Sequence, residues 1–163
     1  MVDMEHLTNL TRRALASPNI LHMIELLKKE ISKSEEPFIW KVLSEQLNGE
    51  TFPKGILSAW IFVLKPDTYS PSHQHPNSVQ YSAIIEGGGK MKIGGEEKEI
   101  QIFDSQGKQH VWYVIPKNVP HAVVTRDRPN VVLSFHTSSS NELLEVETSS
   151  GRSRFYERCR FSA

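Results

Sequence analysis

His73-Gln74-His75-Pro76-Asn77-Ser78-Val79-Gln80 decides how this chain is read, because it sets two histidines two residues apart in a stretch of strand character. Side chains alternate faces along a strand, so His73 and His75 leave the same face. One buried histidine is readily satisfied by local partners. Two on one strand face are harder to accommodate, since each imidazole needs polar partners that an apolar interior lacks. A metal ion meets that need by accepting a lone pair from each ring. His121 follows the turn-forming run Ile115-Pro116-Lys117-Asn118-Val119-Pro120, which would bring a third imidazole in from a neighbouring strand. Neutral imidazole suits iron, zinc, copper and nickel, so ligand type alone does not name the ion.

Around this stretch the chain reads mostly as strands. From Pro37 the apolar pattern has period two, with Gly, Pro, Asn and Asp as punctuation. The expected strands are 38–45, 56–65, 70–75, 79–86, 89–94, 97–103, 111–115, 120–125, 130–137 and 153–161, which suggests a β-barrel or double-sheet roll. Glu86-Gly87-Gly88-Gly89 needs a positive φ somewhere and reads as a hairpin turn, as does Gly94-Gly95. Two helices precede the strands. Residues 4–16 are weakly amphipathic. Ser17 and Pro18 offer an N-cap and a first helical residue, and Ile20, Met23, Ile24, Leu27 and Ile31 then form an apolar stripe on a helix of about 18–33. The division expected is therefore a helical segment over 1–36 and a barrel over 37–163, within one domain.

Composition narrows the function classes. The 163 residues carry 19 basic and 19 acidic side chains, so no net field draws the chain to nucleic acid or to an anionic membrane. Cys159 is the single cysteine and has no partner for an internal disulfide. The N-terminus mixes charges and builds no apolar signal core, and the longest apolar run, Ile56 to Leu64, is far short of a membrane span. The expectation is a soluble, cytoplasmic protein. Cys159 reads as an ordinary strand residue, with no His or acid beside it in sequence. His6, His22 and His110 read as surface groups, and Arg152, Arg154, Arg158 and Arg160 as a solvated strand face.

With its continuation Tyr81-Ser-Ala-Ile-Ile-Glu-Gly87, the opening stretch resembles the first cupin motif, HxH(x)4E(x)6G. Ile115-Pro116-Lys-Asn-Val-Pro-His121 resembles the second, PxG(x)2H. The resemblance implies an all-β fold, the cupin double-stranded β-helix or jelly-roll barrel, here with two N-terminal helices. It implies His73, His75 and His121 as metal ligands. The chain departs from the pattern at Gln80, where the motif has a glutamate ligand, and at Asn118, where it has glycine. Asparagine tolerates a left-handed backbone, so the second change is mild. The first removes a charge and a good oxygen ligand. Strand parity still points Gln80 inward with Ser82 and Ile84, as a weak ligand or a hydrogen-bonding group near the ion.

Among cupins the chain is similar to the thiol dioxygenases, the cysteine dioxygenase family, in its order of helices, barrel and C-terminal strands. Those enzymes carry Ser-x-His-x-Tyr after the third ligand. Here Ser134 and His136 match, and Ser138 stands where tyrosine would be. The segment from Ser150 to Phe161 resembles the strand that closes their barrel. The resemblance implies a mononuclear non-haem iron dioxygenase acting on a small thiol or related molecule together with O2. Fe(II) is the first candidate metal, with Ni(II), Zn(II) and Mn(II) as alternatives. Gln80, Ser134 and His136 would serve the chemistry. Lys41 is a possible substitute for a carboxylate-gripping arginine, and Trp60, Phe62 and Tyr113 are candidate pocket walls. The missing tyrosine and the lack of a matching arginine make cysteine itself a doubtful substrate. The competing expectation is a non-catalytic, sensory cupin that only binds metal or a small molecule. An isomerase-type cupin ranks last, because no Asp or Glu is seen to point inward. A homodimer is expected from the resemblance alone.

Overall fold

A computed structural model describes residues 1–43, 50–108 and 110–156. Cys159, Arg158, Arg160 and the far ends of the expected strands 38–45 and 153–161 lie outside the described residues.

Two helices open the chain: α1 (Met4–Leu15) and α2 (Pro18–Ile31). Asp3 caps α1 by accepting a hydrogen bond from the His6 N–H at 3.0 Å. Ser17 does occupy the N-cap position of α2, but its side chain makes no capping bond, and Pro18 alone sets the start. The expected stripe on α2 is buried in full: Ile20, Met23, Ile24, Leu27 and Ile31.

Eleven strands follow among the described residues: β1 (Phe38–Val42), β2 (Ser58–Leu64), β3 (His73–Gln74), β4 (Gln80–Glu86), β5 (Gly89–Ile93), β6 (Glu96–Glu99), β7 (Tyr113–Ile115), β8 (His121–Thr125), β9 (Asn130–His136), β10 (Leu144–Glu147) and β11 (Ser153–Phe155). They form two antiparallel sheets. One has the order β1-β2-β9-β4-β7 and the other β11-β10-β3-β8-β5-β6. Neighbours in space are mostly distant in sequence, as in a jelly roll.

Strand alternation divides the apolar residues into two cores. Ile39, Ala59, Ile61, Val63, Val131, Leu133 and Phe135 leave the outer face of the five-stranded sheet and pack against the helices. Phe38, Trp40, Trp60, Leu64, Ile84 and Val132 leave its inner face and fill the space between the sheets with Met91, Val123 and Tyr156 from the side of the other sheet. The helices thus cover one outer face, and the inner layer is free to carry a site.

Backbone conformations expected from the turns are present. Gly87 and Gly89 have φ of 113° and 110°, and a Cβ on Gly89 would run into the Val124 carbonyl. Asn118 has φ of 61°, the left-handed conformation in which asparagine substitutes for glycine. One strand escaped the sequence reading. Glu142-Leu-Leu-Glu-Val-Glu147 is rich in good helix formers and short, yet its second half forms β10 because β3 and β11 pair with it on either side.

Candidate metal centre

The three motif histidines meet. His73 lies opposite His121 in the β3–β8 ladder, and His75 follows just beyond β3. Ring centroids are 4.3 Å apart for His73 and His121, 5.1 Å for His73 and His75, and 5.3 Å for His75 and His121. One ring nitrogen from each falls within 4.8 Å of the other two.

Hydrogen bonds at the rear of each ring fix which nitrogen faces the centre. His73 Nδ1 contacts the Pro71 carbonyl at 3.0 Å, His75 Nδ1 the Leu144 carbonyl at 2.8 Å, and His121 Nδ1 the Val119 carbonyl at 3.1 Å. A carbonyl can only accept, so each Nδ1 carries the proton and each Nε2 holds a lone pair when the ring is neutral. Burial keeps the rings neutral: it lowers His73 to about 4 and His121 to about 3, and takes His75 well below its ordinary value. His121 Nε2 is buried with no hydrogen-bond partner. Three converging lone pairs, with that of His121 left without a donor, are the condition a divalent cation satisfies, and backbone-held Nδ1–H groups are the usual support for such ligands. The residues fit a metal ion.

The opposite sheet supplies further inward polar groups. Gln80 and His136 are paired across β4 and β9, as are Ser82 and Ser134. Gln80 Nε2 donates to Ser82 Oγ at 2.7 Å, and the Ser82 and Ser134 hydroxyls contact each other at 2.7 Å. That leaves Gln80 Oε1 buried and unpaired. Ser134 therefore faces inward as parity required.

His136 is fully buried, 5.2 Å from the His75 ring. Its Nδ1 contacts Ser78 Oγ at 3.1 Å, while that oxygen already accepts from the Thr137 and Ser138 N–H groups. The Ser78 hydroxyl also lies 3.2 Å from the Val79 carbonyl, to which it can donate its one hydrogen. His136 Nε2 has no partner. Burial and the three neighbouring histidines hold His136 well below its ordinary pKa.

A cavity of about 60 Å³ opens in front of the histidines, walled by Phe38, Phe62, Leu64, Ile115, Val132 and Tyr156 among others. Of the expected walls, Phe62 is present. Trp60 is not: it is fully buried behind, stacked on Phe62, with its N–H on Ser58 Oγ. Tyr113 is also core, and its hydroxyl accepts from the Gln101 N–H. Lys41 is exposed and leaves β1 on the opposite face from Phe38, so it does not reach the cavity. Among the described residues, no lysine or arginine is in the wall.

The C-terminal hairpin corrects three further expectations. Tyr156 places a phenol in the cavity wall, so a tyrosine is present although Ser138 replaces it in the motif. Ser138 itself is buried with an unpaired hydroxyl and is not in the wall. Glu145 on β10 is a buried acid on the His73 side, 3.8 Å from His73 Nε2, where no inward acid was expected. It accepts from Arg154 Nε at 3.0 Å and from the Tyr156 hydroxyl. Desolvation raises its pKa, and Arg154 opposes the rise. Arg154 is no solvated strand residue. Its guanidinium lies 5.2–5.4 Å from the ring centres of Phe38, Trp40 and Tyr156. Away from the site, His110 is half-buried, 2.7 Å from Arg12 and against Phe103, rather than a surface group.

No helix among the described residues is long and apolar enough to cross a membrane. No curated protein matches the sequence. Among solved structures, the chain is similar to the DMSP lyase DddQ from Ruegeria pomeroyi DSS-3, with 25% identity and a TM-score of 0.51. The match covers 72% of this chain and 54% of the lyase, so this chain spans about half of that protein's length. It is also similar to a variant of salicylate 1,2-dioxygenase from Pseudoaminobacter salicylatoxidans in complex with gentisate, at 13% identity and a TM-score of 0.54. That match covers 71% of this chain and 32% of the dioxygenase, and shows the fold alone. The family model described as Cupin domain matches residues 60–136, from β2 to the last residue of β9, and includes all three histidines. Two antiparallel sheets, a motif-spaced histidine triad and this match over 60–136 give the chain the cupin jelly-roll fold.

Proposed function

We propose that the protein is a mononuclear non-haem iron dioxygenase acting on a small, uncharged thiol. The observation that carries this reading is the set of three neutral imidazoles, each with its Nε2 lone pair turned to one centre beside a largely apolar cavity. Iron bound by His73, His75 and His121 would supply Lewis acidity toward the thiol and one-electron chemistry toward O2.

The chain's own groups set what can enter. A cavity of about 60 Å³ suits a small molecule, and among the described residues its wall holds no lysine or arginine to pair with a carboxylate such as that of cysteine. Phe38, Phe62, Leu64 and Val132 exclude water and hold an alkyl body. Gln80 Oε1 and the Ser82–Ser134 pair are polar groups available to orient substrate or oxygen, with His136 packed 5.2 Å from the His75 ring. The overall conversion is balanced as thiol plus O2 giving sulfinic acid, both oxygen atoms ending on sulfur.

Protein loaded with Fe(II) under anaerobic conditions and then exposed to oxygen should consume O2 with short alkyl thiols in preference to cysteine. Lack of uptake across a panel of thiols and enediols, with one iron per chain verified, would refute the dioxygenase reading. The contact between Tyr156 and Glu145 beside His73 favours a second reading, acid–base chemistry on a small carbon substrate. Turnover without oxygen would select it.

A further inference from the structure

Glu145 and His73 face each other in a way their hydrogen bonds do not explain. The Pro71 carbonyl holds the proton of His73 on Nδ1, so Nε2 offers a lone pair. The nearest atom of Glu145, Oε2, is also an acceptor, 3.8 Å away, and both side chains are largely withdrawn from water. Two acceptors in a desolvated space repel unless a proton or a metal cation lies between them. Metal–nitrogen and metal–oxygen bonds of about 2.0–2.2 Å each span the 3.8 Å from His73 to Glu145. The set of donors within 4.8 Å of one another is the three histidines, so an ion that also binds Glu145 needs its carboxylate to swing toward them. Oε1 accepts from Arg154 and Oε2 from the Tyr156 hydroxyl. The position where the cupin motif has its carboxylate is meanwhile a neutral amide, Gln80, on the opposite sheet.

We propose that Glu145 is the carboxylate ligand of this site, a fourth protein donor delivered from β10 in place of the absent glutamate at position 80. The assignment rests on the three-histidine reading of the metal centre and deepens it. A Glu145 committed to the ion cannot also serve as a free base, so the same experiment bears on the acid–base alternative. The ion so held has three neutral donors and one anionic oxygen, which offsets one unit of its charge.

Co(II) is the probe, because its visible absorption reports donor type and number without turnover. Purified protein freed of metal is titrated with Co(II) alone, alongside Glu145→Gln, Glu145→Gln combined with Gln80→Glu, and His121→Ala. Glu145→Gln should shift the visible bands and weaken Co(II) binding by about 10-fold or more. Restoring a carboxylate at position 80 should recover much of the affinity, which also shows that the variant is folded. Unchanged bands in Glu145→Gln overturn the proposal, whether or not affinity falls, since a ligand cannot be exchanged silently. His121→Ala separates this outcome from failure of the underlying reading: if it binds Co(II) as the parent does, the triad itself is wrong.

Discussion

The β3–β8 pair and the β10–β11 hairpin approach the same centre from neighbouring positions in one sheet, yet they are built by different rules. In the first, two of the three histidines are oriented by carbonyls two residues away, Pro71 for His73 and Val119 for His121. Local sequence nearly suffices to aim them. In the second, Glu145 and Tyr156 reach the site only because β10 pairs with β3 across some 70 residues of chain, and Arg154 must settle among aromatic rings from β1. A spacing motif therefore reports the first region, while the second exists only in the fold.

Breaking the β3–β8 side should have the largest effect. His121→Ala is expected to reduce bound metal from near one per chain to near zero by elemental mass spectrometry, with the far-ultraviolet dichroism retained. The core does not depend on the ion, because Trp60, Phe135 and the helix stripe are packed without it. Trp60 then tests where the wall of the site ends. If it is core behind Phe62, Trp60→Ala costs about 3–5 kcal/mol in urea unfolding. A pocket wall at that position would instead raise the substrate requirement at little cost to stability.

Acidification should sharpen the contrast. The folded state holds His73 at about 4 and His121 at about 3, against an ordinary value of 6.5. Between these limits the unfolded chain binds protons that the buried rings refuse, so stability must fall as pH falls. Metal-free protein should lose stability progressively from about pH 6.5 toward pH 4, read as a declining urea midpoint. A flat profile through that window would mean that the rings are solvated. The hairpin responds differently. Tyr156→Phe leaves Glu145 Oε2 without its phenolic donor, and the cost expected from an unsatisfied buried acceptor is about 1–3 kcal/mol. Lys41→Ala, exposed on the wrong face of β1, should change stability by less than about 0.5 kcal/mol and leave metal content alone.

How much of this was legible follows the same division. His73, His75 and His121 announce themselves by spacing, and the inward direction of Gln80, Ser82 and Ser134 follows from a period of two. The left-handed Asn118 was readable from its place in the turn. Glu145 was not, because Leu144-Glu-Val-Glu147 alternates for only four residues among helix-forming neighbours, and the pairing that makes it a strand is remote. The alternation of Arg154 and Tyr156 in the last strand was visible, but not which face it would turn inward. Lys41 failed for a simpler reason: Phe38, Trp40 and Val42 own the inner face of β1, so its own parity points it outward. Trp60 has inward parity yet is screened from the cavity by Phe62 and Tyr156, a matter of packing that no one-dimensional pattern records.

Diffraction from crystals soaked with Fe(II), measured on both sides of the iron absorption edge, addresses the central claim most directly. One anomalous peak is predicted per chain, about 2.0–2.3 Å from Nε2 of His73, His75 and His121 alike. A peak elsewhere, or imidazole rings that turn Nδ1 toward the ion, would contradict the account.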